Sequence, residues 1–517
     1  MPSTSRQLGR FPGGLRLPHH KRESTTLAVA PLPLPAQLVV PVQQHIGTPA
    51  EVLVEVGERV LKGQVIARAG EYVSAPVHAP SSGIVSAIEA RAIPHPSALP
   101  ARCVVIDTDG RDEWIALPPP IDNPFAVDIE TIRARARDAG IVGLGGAGFP
   151  THIKLTPAAN PPLDTLIING AECEPYITCD EMLLRERAVE VISGARIMQQ
   201  VLAVPRCVIG IEDNMPEAHA ALIAARAALG DVVRDVEIVA IPTRYPAGGE
   251  KQLIKTLTHR EVPSQKLPLA VGVVCHNVAT AAAVFQAVKY GKPLIARIVT
   301  VTGPAVATPR NFEVLLGTPL HALIDAAGGY TEATPHLRMG GPMMGLPLPS
   351  DTLPVIKTCN CLLVTPPPVV VAEQPCIRCG ECVAVCPANL LPQQLYWHAR
   401  AKEFDKVQAQ RLFDCIECGC CDYVCPSHIP LVAYYRYAKT EIRAQDDEKR
   451  KAALARRRHE ARVERLERDK AERAARLQKH KLDSHNDSSA DSDTKKAAVQ
   501  AALARVKIKQ QSTADDV

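Results

Sequence analysis

The spacing of apolar and polar positions changes several times along this chain, and each change marks a region. Between residues 28 and 110, runs such as EVLVEVGERVLKGQVIA and SAPVHAPSSGIVSAIEA alternate apolar and polar positions between Gly and Pro punctuation. A period of two predicts short strands and tight turns, hence a small all-β module behind an N-terminal extension of residues 1–27. Residues 111–295 read differently: RCVIGIEDN precedes the helical MPEAHAALIAARAAL, VEIVAIP follows, and LAVGVVCHN leads into VATAAAVFQAVKYG. Strands alternating with helices predict βαβ units and a largely parallel sheet. Residues 296–350 open on RIVTVTGPAV and continue into PLHALIDAAGG, a compact α+β unit. Pro366, Pro367 and Pro368 form a stiff linker within the cysteine-bearing region, residues 351–440.

Residues 441–517 are a charged tail. Its first part, to about 483, is rich in Ala, Arg, Glu and Lys without Gly or Pro, which predicts a long exposed helix. SHNDSSADSDTKK is polar enough to be disordered, with a short helix expected near AAVQAALARVK. The fold class is thus multidomain α/β and α+β, as 517 residues are too many for one ordinary core.

Composition narrows the function mainly by exclusion. Lys and Arg number 59 against 55 Asp and Glu, a formal charge of +4 that gives no global reason to expect a nucleic-acid partner. The N-terminal stretch resembles no signal peptide, and no run approaches the ~18 apolar residues of a spanning helix. A cytosolic, reducing location is the expectation. Nine of the 16 cysteines fall between Cys376 and Cys425 at ligand spacing, which argues against disulfides.

Those cysteines carry the strongest chemistry. Cys376, Cys379, Cys382 and Cys386 precede Pro387; Cys415, Cys418, Cys421 and Cys425 precede Pro426. Both are the Cys-x2-Cys-x2-Cys-x3-Cys-Pro run of bacterial ferredoxins, in which three thiolates bind one [4Fe–4S] cluster and the fourth binds the other run's cluster. Two clusters follow, one on Cys376, Cys379, Cys382 and Cys425, the other on Cys415, Cys418, Cys421 and Cys386. Zinc is the competing reading of paired Cys-x2-Cys. The helix-compatible stretch between the runs predicts an α-helical two-cluster ferredoxin domain. Cys420 is read as a non-ligand, and Cys359 and Cys361 as buried structural thiols.

GLGGAGFPTHIK places glycines at 143, 145, 146 and 148, and NGAECEP follows the apparent strand DTLIIN, where ligands gather in open α/β sheets. The glycine spacing alone is weak, since Phe149-Pro150 replaces the direct entry into a helix. Together the two loops resemble the flavin-binding, NADH-oxidising subunit of respiratory complex I. FPGGLRLPHHK, APVHAPSSGIV, YPAGGEKQLIKTLTHREVP, GGPMMG and both cysteine runs resemble, in order, the C-subunit family of Rnf/Rsx-type ion-translocating oxidoreductase complexes.

That resemblance implies a barrel-sandwich hybrid for the β module, a Rossmann-like flavin domain, and a soluble-ligand-binding β-grasp for residues 296–350. It implies non-covalent FMN cradled by Gly143, Gly145, Gly146 and Gly148, with Lys154 at the phosphate and Asn169 on the flavin. Asn277 and Thr280 would contact the phosphate, and Glu250 would lie on the nucleotide face. Glu172 and Glu174 would act on the nicotinamide side, with NADH as substrate. Lys154 and Glu250 also read as solvated charges, and Asn277 as a helix N-cap. Leu144 and Ala171 replace an Arg and an Asp of the complex I pattern, and the β module has no lysine at the biotinyl-lipoyl attachment position. The implied function is a peripheral subunit on the cytoplasmic face of the bacterial inner membrane, with integral and peripheral partners of the same complex and no nucleic acid. The alternative is an electron-relay adaptor with clusters but no working nucleotide site.

Overall fold

A computed structural model describes residues 7–97, 99–156, 162–369 and 371–511. The chain divides into two compact units, Met1–Ala438 and Lys439–Val517.

In the first unit, the β module folds as two small antiparallel sheets. One has the order Gln37–Pro41, Ala101–Thr108, Gly83–Arg91, Arg59–Val60; the other joins Glu51–Val52, Val65–Arg68 and Val77–His78. Leu38 faces Ile106 and Val40 faces Val104 across the first sheet, and all four are fully buried. The period of two in the sequence is this inward face.

The sheet that matters for function has four parallel strands in the order Val236–Ile241, Arg206–Glu212, Thr165–Gly170, Val273–Asn277. Leu166, Ile167 and Ile168 are all buried because both faces are covered. Leu166 and Ile168 pack with the helices Ala188–Leu202 and Val278–Tyr290, whereas Ile167 packs with Leu253, Ile254 and Leu257 of the helix Glu250–Thr258. The strand order reverses between Thr165–Gly170 and Val273–Asn277. A crevice therefore opens beyond their C-terminal ends, at Asn169 and Asn277.

A six-stranded sheet contains Ala296–Thr302, antiparallel to Arg310–Leu315, with Cys361–Thr365 parallel on its other side and paired to His336–Met339. Cys361–Thr365 thus belongs to this sheet and not to the cluster-bearing region where the sequence placed residues 351–440. Cys361, Leu362, Leu363 and Val364 are buried, and such a run needs neighbours on both sides. The N-terminal segment is built in as well: Leu15 exchanges backbone hydrogen bonds with Tyr245, and Lys21 is buried.

Between the cysteine runs lie two helices, Pro392–Arg400 and Phe404–Ala409. A single helix spans Leu431–Gln511, and its residues from Lys439 onward form the second unit. The disorder expected of SHNDSSADSDTKK falls mainly on residues 485–490, whose side chains lie outside the described ones. No helix among the described residues is long and apolar enough to cross a membrane.

Candidate flavin cavity and thiol clusters

The crevice at the end of the parallel sheet is a cavity of about 500 Å³. The glycine-rich loop forms one wall through Gly143 and Gly145, and Lys154, Asn169, Glu172, Glu174, Glu250 and Asn277 also line it. Gly146, Gly148 and Thr280 are not among its lining residues. Their work is indirect. Gly146 turns the loop at a φ of 106° that other residues rarely adopt, and the Thr280 hydroxyl accepts the Leu144 N–H at 3.0 Å, pinning the loop to the first turn of Val278–Tyr290. Asn277 caps that helix by accepting the Ala279 N–H at 2.8 Å and donates to Asp180 at 2.6 Å. The helix N-terminus and Lys154, whose ammonium donates to the Cys275 carbonyl at 3.0 Å and to Glu250 at 3.2 Å, suit an anionic group.

Asn169 is occupied by backbone: it donates to the Gly248 carbonyl at 2.9 Å and accepts the Ala171 N–H at 3.0 Å. Two other lining side chains, not singled out in the sequence, keep buried polar atoms without a partner among the described residues. These are Nε2 of His276 and Oε1 of Gln252. Both atoms are sealed from solvent behind the cavity wall, so the fit to an anionic, polar ligand rests on Lys154 and the helix N-terminus.

Glu172 and Glu174 line the cavity but are held from behind. The Glu172 carboxylate accepts N–H groups of Asp180 at 2.9 Å and Glu181 at 3.2 Å, at the start of the helix Cys179–Glu186, where negative charge is favoured. Buried Lys21 lies 3.5 Å from it and donates to the carbonyls of Glu172 and Ile177. Burial lowers the Lys21 ammonium, but Glu172, Glu212 and Glu181 outweigh it and raise the pKa overall. Burial and the Glu172 carboxylate push Asp180 up to about 7. Glu174 accepts the Met343 N–H at 3.2 Å and the Met344 N–H at 2.7 Å, clamping the GGPMMG turn against the cavity, and burial raises it to about 7. A side chain on Gly341 would collide with this carboxylate.

The cysteines gather in two places. Cys376, Cys379, Cys382 and Cys425 line one cavity; Cys386, Cys415, Cys418 and Cys421 line a second, smaller one together with Cys420. Burial, and then the thiols of Cys379, Cys376 and Cys425, raise the Cys382 pKa; burial, Asp422 and the thiols of Cys415, Cys418 and Cys386 raise that of Cys421. Four thiols facing one another across a small cavity have the donor set of a cubane cluster. Backbone N–H groups of Leu390 and Glu417 point at the sulfurs of Cys386 and Cys415, both at 3.4 Å. The two runs repeat one conformation, with positive φ at Arg378 and Gly380 in the first and at Glu417 and Gly419 in the second. Cys379 is exposed, whereas Cys418 is buried. Cys359 and Cys361 are buried outside both cavities.

Residues 136–286 match the Nuo51 FMN-binding domain and residues 375–429 the 4Fe-4S dicluster domain; residues 9–111 match the RnfC barrel sandwich hybrid domain and residues 298–347 the SLBB domain. Fold and family matches thus define a chain that joins a domain of the FMN-binding type to one of the 4Fe-4S dicluster type. The C subunit of the ion-translocating oxidoreductase complex of Pseudomonas aeruginosa is 52% identical over 475 residues, covering 90% of this chain and 60% of that protein. The corresponding protein of Edwardsiella ictaluri is 48% identical over 516 residues, 99% of this chain and 63% of its own. That of Yersinia pestis bv. Antiqua is 48% identical over 492 residues, 95% of this chain and 78% of its own. The chain belongs to the C-subunit family of ion-translocating oxidoreductase complexes, and it spans 60% and 63% of the first two relatives' length.

Proposed function

We propose that this chain is a peripheral subunit of an Rnf/Rsx-type membrane complex on the cytoplasmic face of the bacterial inner membrane, oxidising NADH at a non-covalent FMN and passing electrons through two [4Fe–4S] clusters to partner subunits that couple the transfer to ion movement. FMN supplies the exchange between two-electron and one-electron chemistry. Support comes foremost from adjacency: Ile416 lines both the glycine-loop cavity and the cavity of Cys415, Cys418, Cys421 and Cys386. The set with Cys425 includes the exposed Cys379, so electrons leave there.

In this reading, Gly143 and Gly145 let the backbone approach the flavin, with Gly146 and Gly148 shaping the loop. Lys154 and the N-terminus capped by Asn277 hold the phosphate, with Thr280 fixing the loop above it. Asn169 orients the wall against the flavin, and His276 and Gln252 are part of that wall. Glu250 restrains Lys154 on the nucleotide face. Glu172 and Glu174 bound the nicotinamide side while fixing the local backbone.

Anaerobic purification with a flavin, iron and sulfide count is the test. About eight irons, eight labile sulfides and one FMN are expected, with flavin absorbance bleached by NADH. Full clusters and bound flavin without bleaching would leave a relay adaptor; no clusters would end the reading. Membranes bearing the complex should release the chain to alkaline wash without detergent.

A further inference from the structure

Tyr245 stands where the two kinds of site meet. It is 3% exposed and lines the glycine-loop cavity. Its hydroxyl leaves that wall and donates to the backbone carbonyl of Cys418 at 2.6 Å. Cys418 is one of the four thiols proposed for the inner cluster, and Tyr245 packs in one apolar group with Leu17, Cys418 and Cys420, with Cys173, Met343 and Ile416 around it. Two features hold the ring there. Leu15 and Tyr245 exchange backbone hydrogen bonds at 2.7 and 2.8 Å, which ties the N-terminal segment behind it. On the other side the Met343–Met344 turn is clamped by Glu174, and the Met343 carbonyl would lie 3.0 Å from a side chain added at Gly419, next to Cys418.

We propose that Tyr245 is the positioning residue of the flavin-to-cluster step. Its ring fills the wall between the flavin and the cluster of Cys415, Cys418, Cys421 and Cys386, and its hydroxyl dipole favours the reduced state of that cluster and no other. This inference rests on the flavin and cluster reading above. The electron lost at the cavity is the electron gained at the inner cluster; no bond is made or broken, and Tyr245 keeps its proton. The direction follows from the donor. A reduced cluster carries one more negative charge, and an O–H aimed at the carbonyl of one of its ligands stabilises that charge.

The experiment uses the full chain, purified anaerobically, with flavin and iron counted first. Flavin reduction is followed by absorbance and each cluster by EPR during a redox titration. Tyr245→Phe keeps the ring and loses the hydroxyl. It should keep wild-type flavin and iron contents, lower the equilibrium occupancy of the inner cluster relative to flavin by about two- to fivefold, and leave the outer cluster's titration in place. Tyr245→Leu, which also removes the ring, should in addition slow cluster reduction after rapid reduction of the flavin. Unchanged titrations in Tyr245→Phe, or equal shifts in both clusters, would overturn the proposal, as would a Leu variant that transfers as fast as the Phe variant. A wild-type chain without flavin or iron would instead refute the functional reading beneath it.

Discussion

Glu174→Ala separates a carboxylate that holds a turn from one that only faces a substrate. The carboxylate accepts N–H bonds from Met343 and Met344 at 3.2 and 2.7 Å. Hydrogen bonds to a charged acceptor contribute about 1.5–3 kcal/mol each and those to a neutral one about 0.5–1.5, so the comparison is made above pH 7, where the carboxylate is charged. Met344 is 44% exposed, so water recovers part of the loss. A net cost of about 2 kcal/mol follows, or about thirtyfold in the equilibrium for local opening of the turn. Because so large a chain need not unfold in one step, the assay is amide hydrogen exchange of Met343 and Met344. Glu174→Gln, which still offers one acceptor oxygen, should lose roughly half as much protection in free-energy terms.

The pH dependence provides a second check. Burial raises Glu174 from 4.5 to about 7, so the folded chain binds more protons than the unfolded chain within that window. Its contribution to stability is therefore fully present at low pH and declines as pH rises through about 4.5 to 7. The Gln variant should lack this slope. If Glu174→Ala leaves both amides as protected as in the wild type, the clamp is wrong. Loss of NADH-driven flavin bleaching in that same variant would then place the carboxylate's role in the cavity.

Four further outcomes are expected. Gly145→Val puts a branched side chain where Asn277 already lies 3.2 Å from the first added carbon; flavin content after desalting should fall in a chain that keeps its circular dichroism. Cys425→Ala should disturb the cluster on Cys376, Cys379 and Cys382, resolved by EPR, and loss confined to the cluster of its own run would reverse the crossed assignment. Asn277→Ala removes a helix cap and should lower local stability by about 1 kcal/mol, read by hydrogen exchange of the Ala279 amide, with weaker flavin retention. Lys357, fully buried and donating to the Pro76 and Gly140 carbonyls, is lowered by burial from 10.5 to about 7. The unfolded chain binds the extra proton between those values, so stability should rise with pH across about 7 to 10, and Lys357→Met should abolish that rise.

Local spacing made much of this protein legible in its sequence. Two Cys-x2-Cys-x2-Cys-x3-Cys-Pro runs specify their own chemistry because cluster ligands are short-range neighbours. The alternation of RCVIGIEDN and VEIVAIP with helical stretches is a local signature of parallel strands. NGAECEP was likewise visible at the end of the strand Thr165–Gly170, whereas the glycine loop lies between the helices Ile129–Asp138 and Thr151–Lys154 and drew its meaning from the resemblance. Tertiary structure decided what these parts do for one another. Glu172 and Glu174 looked alike two residues apart, yet one meets a helix N-terminus and Lys21, 151 residues away, while the other grips a turn nearly 170 residues on. Thr280 was expected at the cavity and instead fastens the loop that shapes it. His276, Gln252 and Tyr245 were not singled out, although Tyr245 and Gln252 lie within the motif YPAGGEKQLIKTLTHREVP. A hydrogen bond or an unpartnered buried atom is a relation between distant segments, and it exists only once the chain has brought them within about 3 Å.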